Sequence, residues 1–406
     1  MKNLIITLII FGVLVFPSTV IAQDPLWSYE TPGAVLAIET TEDIVAVGSK
    51  GGVISVFSIT GILKWKFRTG GDVGSISIFG DTLAVGSADS SIYIFDSDTG
   101  HLRWTAYIGE FPKVAVSEYT IAVGTYDNEL FVLNKDNGKV IWNASGKDKI
   151  ENIFLIEISK NTLIAATGDI DSKPKRGYIR TYDMTTGRRM WEYKIDGWAY
   201  TLAVSDDTII TGSWKEKMGT GEVYALDRDG NLRWKLSEFG VFSGLEEVSS
   251  VAVSGDSVAF GEFGYDEGKV YLVDKETGEV KWSEYIRDPF LDIESPFSMQ
   301  WIALTEDSVI VGSRDNKVYV YEKETGCERW SYKTRNDIHT VAVSGDKVIA
   351  GSMDRNVYVF DEGEIGSAPW CKKQMDEGTL KNIEIAGIIA AVLGFIFVVM
   401  VFTGRI

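Results

Sequence analysis

The sequence is poor in the side chains that most catalytic centres use. Among 406 residues there are only two histidines and two cysteines, so a metal centre built from several histidines is not expected. A Gly-x-Ser-x-Gly elbow, a Walker loop and a dinucleotide-binding glycine pattern are all missing, which argues against those hydrolase and nucleotide-binding classes. The chain is also short of basic residues, and its net charge of −18 excludes nucleic acid as an expected partner, because binding phosphates needs a basic surface.

The N-terminus is typical of a secretory signal. A basic start precedes an apolar run over residues 4–15, and Val20 and Ala22 form a small-residue pair before Gln23. Residues 1–22 are therefore predicted to be a signal peptide that is cleaved before Gln23. No cysteine follows this cut, so a lipid-anchored lipoprotein is not indicated.

The C-terminus predicts one membrane-spanning helix. Residues 385–403 carry no charge, and as a helix they reach about 30 Å, the thickness of a hydrocarbon core. We expect a juxtamembrane linker over 367–384 and a short tail over 404–406. Three lysines on the linker side outnumber Arg405 in the tail, so the positive-inside rule opposes the orientation with the domain outside; the signal peptide favours it.

Tryptophan marks an internal repeat. Nine tryptophans divide the chain into eight intervals of 38 to 49 residues. The eight that we assign to the repeat scaffold are Trp27, Trp65, Trp104, Trp142, Trp191, Trp234, Trp282 and Trp330; the ninth is Trp370.

Each repeat predicts four short antiparallel strands. In the last copy, "HTVAVSGDKVIAGSMDRNVYVFD" (339–361), three alternating apolar stretches are separated by turn residues. The fourth strand is the tryptophan stretch, as in "RWSYKT" (329–334). Four strands repeated eight times predict an all-β fold, an eight-bladed β-propeller of four-stranded antiparallel blades over residues 25–366.

The turn before each tryptophan has a recurring form. "DSDTGHLRW", "DMTTGRRMW", "DKETGEVKW" and "EKETGCERW" place Thr-Gly four residues before the ring. Glycine supplies a positive φ, and Asp or Thr bonds the local backbone. We expect the tryptophan to lie on the outer strand and to pack between neighbouring blades.

Nine tryptophan strands for eight blades leave one to spare. Because Pro369 precedes Trp370, that stretch is the weaker strand. We predict that the Trp27 strand pairs with the third strand of the last blade and closes the ring, while the Trp370 stretch leads to the membrane.

Three further side chains are candidates for covalent modification. Cys327 precedes Trp330, and Cys371 follows the last blade by about ten residues, so the two are candidates for a disulfide in an exported protein. Asn143, in "NAS", is a candidate glycan acceptor.

One face of the propeller is predicted to bind a partner. The long insertions (167–179, 213–223, 237–250 and 283–301) all fall in loops joining strands two to three or four to one, which share a face. The candidate contact residues on this face are Trp198, Tyr200, Arg287, Phe290, Asp292, Phe297, Gln300, Trp301 and His339.

The pattern Asp-x-x-Thr-Gly-x-x-x-Trp resembles the PQQ-like β-propeller repeat over about residues 27–370. That family includes quinoprotein dehydrogenases and the non-catalytic propeller of the bacterial barrel-assembly machinery. The dehydrogenases hold PQQ between a tryptophan and, in one branch, vicinal cysteines, beside calcium and a catalytic aspartate. No adjacent cysteines occur here, and the calcium ligands and the aspartate cannot be placed by motif.

The sequence therefore favours a non-catalytic binding or scaffold module. We expect it to be anchored in the cell membrane with its propeller on the extracytoplasmic side, to bind a protein or glycan of the envelope, and to need no cofactor or metal. The alternatives are a divergent oxidoreductase using PQQ and calcium, and a structural envelope component.

Overall fold

Eight sheets follow one another along the chain, each built mainly from consecutive antiparallel strands, and the last sheet is completed by a strand from the start of the chain. The computed structural model describes residues 21–144, 152–169, 175–215, 221–237, 247–263, 267–287 and 301–363. All the regular secondary structure within these ranges is β-strand.

Blades 1 to 8 are numbered by their inner strands in chain order. Blades 1 to 4 comprise Val35–Thr40, Ile44–Ser49, Val53–Ser58 and Leu63–Arg68; Val73–Phe79, Thr82–Ser87, Ser91–Asp96 and Leu102–Tyr107; Lys113–Val116, Thr120–Gly124, Leu130–Asn134 and Val140–Ala144; and Asn152–Ser159, Thr162–Asp169, Arg176–Asp183 and Arg189–Asp196. Blades 5 to 7 comprise Trp198–Ala199 with Ala203–Val204, Thr208–Trp214, Val223–Asp227 and Leu232–Leu236; Glu247–Ser254, Ser257–Phe263, Glu267–Asp274 and Val280–Arg287; and Trp301–Leu304, Ser308–Gly312, Lys317–Glu322 and Glu328–Lys333. Blade 8 comprises Ile338–Ser344, Lys347–Ser352 and Asn356–Asp361, with Trp27–Glu30 as its outer strand, and Ile21–Ala22 adds a short strand to blade 7.

The burial of each strand follows its place in the blade. Second strands such as Ile44–Ser49 and Thr82–Ser87 are buried along their whole length, because a neighbouring blade covers each face. Outer strands alternate between half-buried and exposed residues, as in Leu63–Arg68. The eight apolar clusters of the core each join two adjacent blades, and inner strands contact one another around the ring. The eight-bladed, all-β prediction is confirmed.

The ring is closed by the N-terminal strand, as predicted. Trp27–Glu30 pairs antiparallel with Asn356–Asp361, with Trp27 opposite Val359 and Glu30 opposite Asn356. Two backbone bonds extend this ladder, from Leu26 N–H to the Val359 oxygen (2.7 Å) and from Thr31 N–H to the Arg355 oxygen (2.7 Å). The last blade is thus completed by the start of the chain.

The repeat tryptophans lie between blades and bond the next blade. Each indole N–H donates to a backbone oxygen just after the third strand of the following blade, at 2.7 to 3.0 Å. The eight pairs are Trp27 to Ile59, Trp65 to Ser97, Trp104 to Lys135, Trp142 to Met184, Trp191 to Arg228, Trp234 to Lys275, Trp282 to Lys323 and Trp330 to Glu362. A complete circle of identical inter-blade contacts results.

The glycine of each turn is required by the tryptophan of the preceding blade. Gly326 has φ +72°, and a Cβ there would lie 2.6 Å from the Trp282 ring. Gly100 has φ +73°, with the Trp65 ring 2.5 Å from the same hypothetical position. The Gly and Trp of one motif therefore act in different interfaces, which the spacing within a single repeat does not reveal.

The membrane segments are not described by the structure. Within the described residues no helix is long and apolar enough to cross a bilayer. Residues 1–20, the linker over 367–384, the span over 385–403 and the tail over 404–406 all lie outside them.

Candidate functional site

A continuous row of aromatic rings crosses blades 3 to 5 on the face that carries the strand two-to-three and four-to-one loops, here called the loop face. We call it the aromatic row. Its members are Phe111, Tyr126, Phe154, Trp198, Tyr200 and Trp214.

The rings contact one another in sequence around the face. Phe111 lies 6.2 Å from Tyr126, and Tyr126 lies 5.9 Å from Phe154, measured between ring centroids. Phe154 in turn contacts Trp198 at 5.8 Å and Tyr200 at 5.6 Å. Edge-on and tilted pairs of this kind add stability beyond the area they bury.

The far end of the row is fixed by a stacked indole pair. Trp198 stacks on Trp214 at 4.5 Å, and its N–H donates to the Asp169 oxygen at 3.0 Å. Lys175 Nζ lies 4.9 Å from the centre of the Trp198 ring, a cation–π contact. This end is therefore held rigidly by blades 4 and 5 together.

The other end of the row is exposed and strained. Phe111 is 58% exposed and has φ +45°, a conformation that costs on the order of 1 kcal/mol for a residue with a side chain. Tyr126, beside it, is 37% exposed. Strained backbone clusters at functional sites, which makes Phe111 a candidate contact residue.

Elsewhere on the loop face, an aspartate in the turn between the second and third strands bonds to the neighbouring loop. Asp89 accepts hydrogen bonds from the Tyr93 hydroxyl (2.7 Å) and the Gly70 N–H (2.7 Å). Asp354 does the same in blade 8, with the Tyr358 hydroxyl at 2.8 Å. The polar side chains Asp89 and Asp354 of blades 2 and 8 thus form hydrogen bonds within the protein, whereas the aromatic row places apolar rings at the surface.

The structure brings together only some of the predicted contact residues. Trp198 and Tyr200 lie in the aromatic row, whereas Trp301 and His339 form a separate pair with ring centroids 6.0 Å apart. Arg287 ends the outer strand of blade 6. Phe290, Asp292, Phe297 and Gln300 lie outside the described residues.

Four members of the aromatic row were not predicted from the sequence: Phe111, Tyr126, Phe154 and Trp214. Of these, Phe154 could have been indicated by its position in the repeat. Phe154 follows the first buried apolar residue of its inner strand, Ile153, as His339 follows Ile338 in blade 8. Both interrupt the strand register, between Ile153 and Leu155 and between Ile338 and Thr340. Such bulges re-aim side chains, and aligning the repeats places Phe154 at the position of His339, which is one of the predicted contact residues.

Charged side chains on the inner strands face the central channel. Burial lowers the pKa of Lys113, at the loop end of blade 3. Burial also lowers the pKa of His339; Asp337 opposes this, and the charge of Lys113 adds to it. Toward the opposite end, burial raises the pKa of Glu39 to about 7. It raises that of Glu157 to about 8, where Arg228 opposes the effect and Glu39 adds to it.

These two glutamates predict that the protein becomes less stable as pH rises. Their pKa values are above the ordinary 4.5, so the folded state binds protons more tightly than the unfolded state, and stability falls between about pH 5 and pH 8. We expect Glu157→Gln to remove about 2 kcal/mol of this loss, less than the full shift implies because the side chain is partly exposed to the channel. Urea unfolding at pH 5.5 and pH 8.5 measures the free energy of unfolding of both proteins. The same difference between the two pH values for the wild type and for Glu157→Gln would contradict the prediction.

Neither a metal cluster nor a free thiol occurs in the part of the chain that the structure describes. No three His, Cys, Asp or Glu side chains there are placed to hold a metal ion. Cys327 is 7% exposed and disulfide-bonded. Cys371 is the only other cysteine in the sequence, and it lies outside the described residues.

The fold and the aromatic row define a class: a ring-closed eight-bladed β-propeller with a candidate binding surface on its loop face. The family model described as outer membrane protein assembly factor BamB matches residues 19–115, 88–237, 175–292 and 266–405. The chain therefore belongs to this family of PQQ-like propellers, and the resemblance seen in the repeat motif is confirmed. None of the curated proteins matches the sequence.

Several solved structures share the fold. BamB from Moraxella catarrhalis is 18% identical with a TM-score of 0.63, over 84% of this chain and 98% of that one. Sqt1 from Saccharomyces cerevisiae is 14% identical with a TM-score of 0.67, over 84% and 99%. The computationally designed Ika8 protein is 19% identical with a TM-score of 0.67, over 83% and 99%. At these identities the likeness concerns the fold alone.

Proposed function

We propose that this protein is a non-catalytic scaffold of the cell envelope that docks a partner protein on its aromatic row. In this proposal residues 1–22 direct export and residues 385–403 anchor the chain in the cell membrane. The BamB-like propeller fold supports a binding module in general. The location in the cell envelope, the membrane anchor and the partner protein are the parts that we propose.

The aromatic row is the observation that carries the proposal. Large rings with few rotatable bonds dominate binding energy at protein interfaces, and here six of them come from three successive blades. The deep members are held by packing, so little conformational entropy is lost when a partner binds. Because the chain carries a net charge of −18, a partner with a basic rim around an apolar centre fits best.

The topology supports an orientation of this surface away from the membrane. The last described strand, Asn356–Asp361, runs from the loop face to the opposite face, and Gly363 follows it there. Cys327 lies in the turn between the third and fourth strands of blade 7, on the same opposite face. An anchor that continues from Gly363 would place this opposite face toward the bilayer. The loop face, with the aromatic row, would then point away from the membrane and toward the partner.

Photo-cross-linking tests the surface with a control on the same blade. Phe111 and Tyr119 are exposed aromatics on opposite faces of blade 3, at 58% and 71% exposure. A benzoylphenylalanine at position 111, introduced in the native cells, is expected to give a cross-linked protein band that is absent with the probe at position 119. Bands of equal strength from both positions would contradict the proposal.

Alanine variants then measure the contribution of the rings. With the cross-linked partner purified, Phe111→Ala is expected to weaken binding about tenfold or more, because it removes an exposed anchor. It should leave the unfolding midpoint almost unchanged, since the ring is mostly exposed. Tyr119→Ala is the matched control and is expected to bind like the wild type; a Phe111→Ala variant that binds equally well would count against the row.

The absence of a cofactor is also part of the proposal. Incubation with PQQ and calcium is expected to leave the absorption spectrum as the sum of its components. A shifted quinone band, with dye-linked oxidation of an alcohol or sugar, would favour the oxidoreductase instead.

A further inference from the structure

The outer edge of blade 7 carries a strand that the other blades lack. Ile21–Ala22 pairs in parallel with Glu328–Lys333, with Ile21 opposite Trp330 and Ala22 opposite Ser331. Among the described blades this is the only strand added outside an outer strand; the fifth strand of blade 5 is a piece of its broken inner strand. The edge of blade 7 therefore accepts an extended peptide.

That peptide belongs to the segment that the sequence predicts is removed. The expected cut lies between Ala22 and Gln23, whereas the closing strand Trp27–Glu30 follows it and stays with the propeller. Cleavage would leave the ring closed and the edge of blade 7 open. Its unpaired N–H and C=O groups are then a template for another strand.

Blade 7 carries no charge at the position after its repeat tryptophan. The residue after the repeat tryptophan is charged in blades 1, 4 and 5, as Lys66, Glu192 and Lys235. In blade 7 it is Ser331, and blades 6 and 8 also have serine there, so the added strand and not the serine alone distinguishes blade 7. Charged side chains on an edge strand discourage pairing with another chain, and a serine does not.

The strand that would receive the peptide is held in place. Trp330 is 3% exposed, its N–H donates to the Glu362 oxygen at 2.9 Å, and its ring lies 5.1 Å from Phe360. The adjoining Cys327 is disulfide-bonded. A pre-ordered edge can bind a strand without first having to become ordered.

We propose that, in the mature protein, the outer edge of blade 7 binds an extended segment of a partner protein as an added parallel strand. The segment is rich in β-branched and small apolar residues, the composition of the leader residues that pair there. Main-chain hydrogen bonds supply the affinity, as in other cases of strand addition. This surface is separate from the aromatic row.

The test uses the chain from Gln23 to Ile406, purified in detergent, and a labelled peptide of residues 18–24. Fluorescence anisotropy is expected to show saturable binding, and hydrogen exchange of residues 328–333 is expected to slow when the peptide binds. Ser331→Lys, which places there the residue type found in blades 1 and 5, should weaken binding about tenfold or more.

The matched control is Ser283→Lys, the same position on blade 6, where no strand is added. It should bind the peptide like the unmodified chain, as should Phe111→Ala, which separates this edge from the aromatic row. No binding, equal binding by Ser331→Lys, or loss in Ser283→Lys would overturn the proposal. So would N-terminal sequencing of the native protein that begins before Ile21.

Discussion

Replacing Trp282 by alanine is expected to lower the free energy of unfolding by about 3–5 kcal/mol. The ring is 5% exposed between blades 6 and 7, where it packs on the turn at Gly326 and contacts Tyr321 at 6.0 Å. Its N–H donates to the Lys323 oxygen at 2.7 Å. Alanine removes the apolar contact and leaves that oxygen without its donor, so two losses add together.

Urea denaturation followed by circular dichroism measures this effect through the transition midpoint. Trp282→Phe separates the two losses, because it keeps most of the packing. The lost hydrogen bond costs about 1 kcal/mol, and the smaller ring adds to that cost. Tyr107→Ala, at a side chain that is 80% exposed, is the control and should change stability by less than about 0.5 kcal/mol. Should Trp282→Ala prove as stable as Tyr107→Ala, the inter-blade indole would not be the element that joins the blades.

Removing the closing strand is expected to have a still larger effect. A chain that begins at Thr31 loses the ladder to Asn356–Asp361 and the indole bond from Trp27 to Ile59. It also loses the packing of Trp27 and Tyr29 on Phe57, at 5.5 and 4.8 Å. Because an opened ring exposes a buried blade face and a strand edge, we expect a loss of more than about 5 kcal/mol, comparable with the net stability of a whole domain.

Complementation makes this result interpretable even if the shortened chain does not fold alone. A peptide of residues 23–30, added in trans, is expected to restore the folded circular dichroism spectrum, because it supplies the missing strand without changing any other contact. The chain that begins at Gln23 is the control and should be as stable as the full-length protein. Full stability of the chain from Thr31 without the peptide would show that the ring is closed in another way.

Much of the fold could be predicted from the sequence because its information is local and repeated. Alternating apolar residues identify the strands, and the recurring turn before each tryptophan identifies the outer strand. Counting tryptophans gave eight blades and one spare strand, and Pro369 before Trp370 correctly selected Trp27 as the closing strand. Errors in one repeat are corrected by the others, so the prediction did not depend on any single copy.

The candidate site was predicted only in part. Trp198 and Tyr200 were chosen from their place at the start of an inner strand, and both lie in the aromatic row. Phe111 and Trp214 were not chosen, because one lies in a connection between blades and the other ends a second strand. Nothing in their local sequence shows that they share a surface with Phe154.

The sequence by itself determined the number of blades, the strand that closes them and the face with the long loops. Only the tertiary structure decided which side chains meet. It pairs each tryptophan with the glycine of the next blade, and it brings the rings of three successive blades into one row. The physical reason is that strand patterns arise from neighbours along the chain, whereas these contacts exist only after the blades have turned about a common axis.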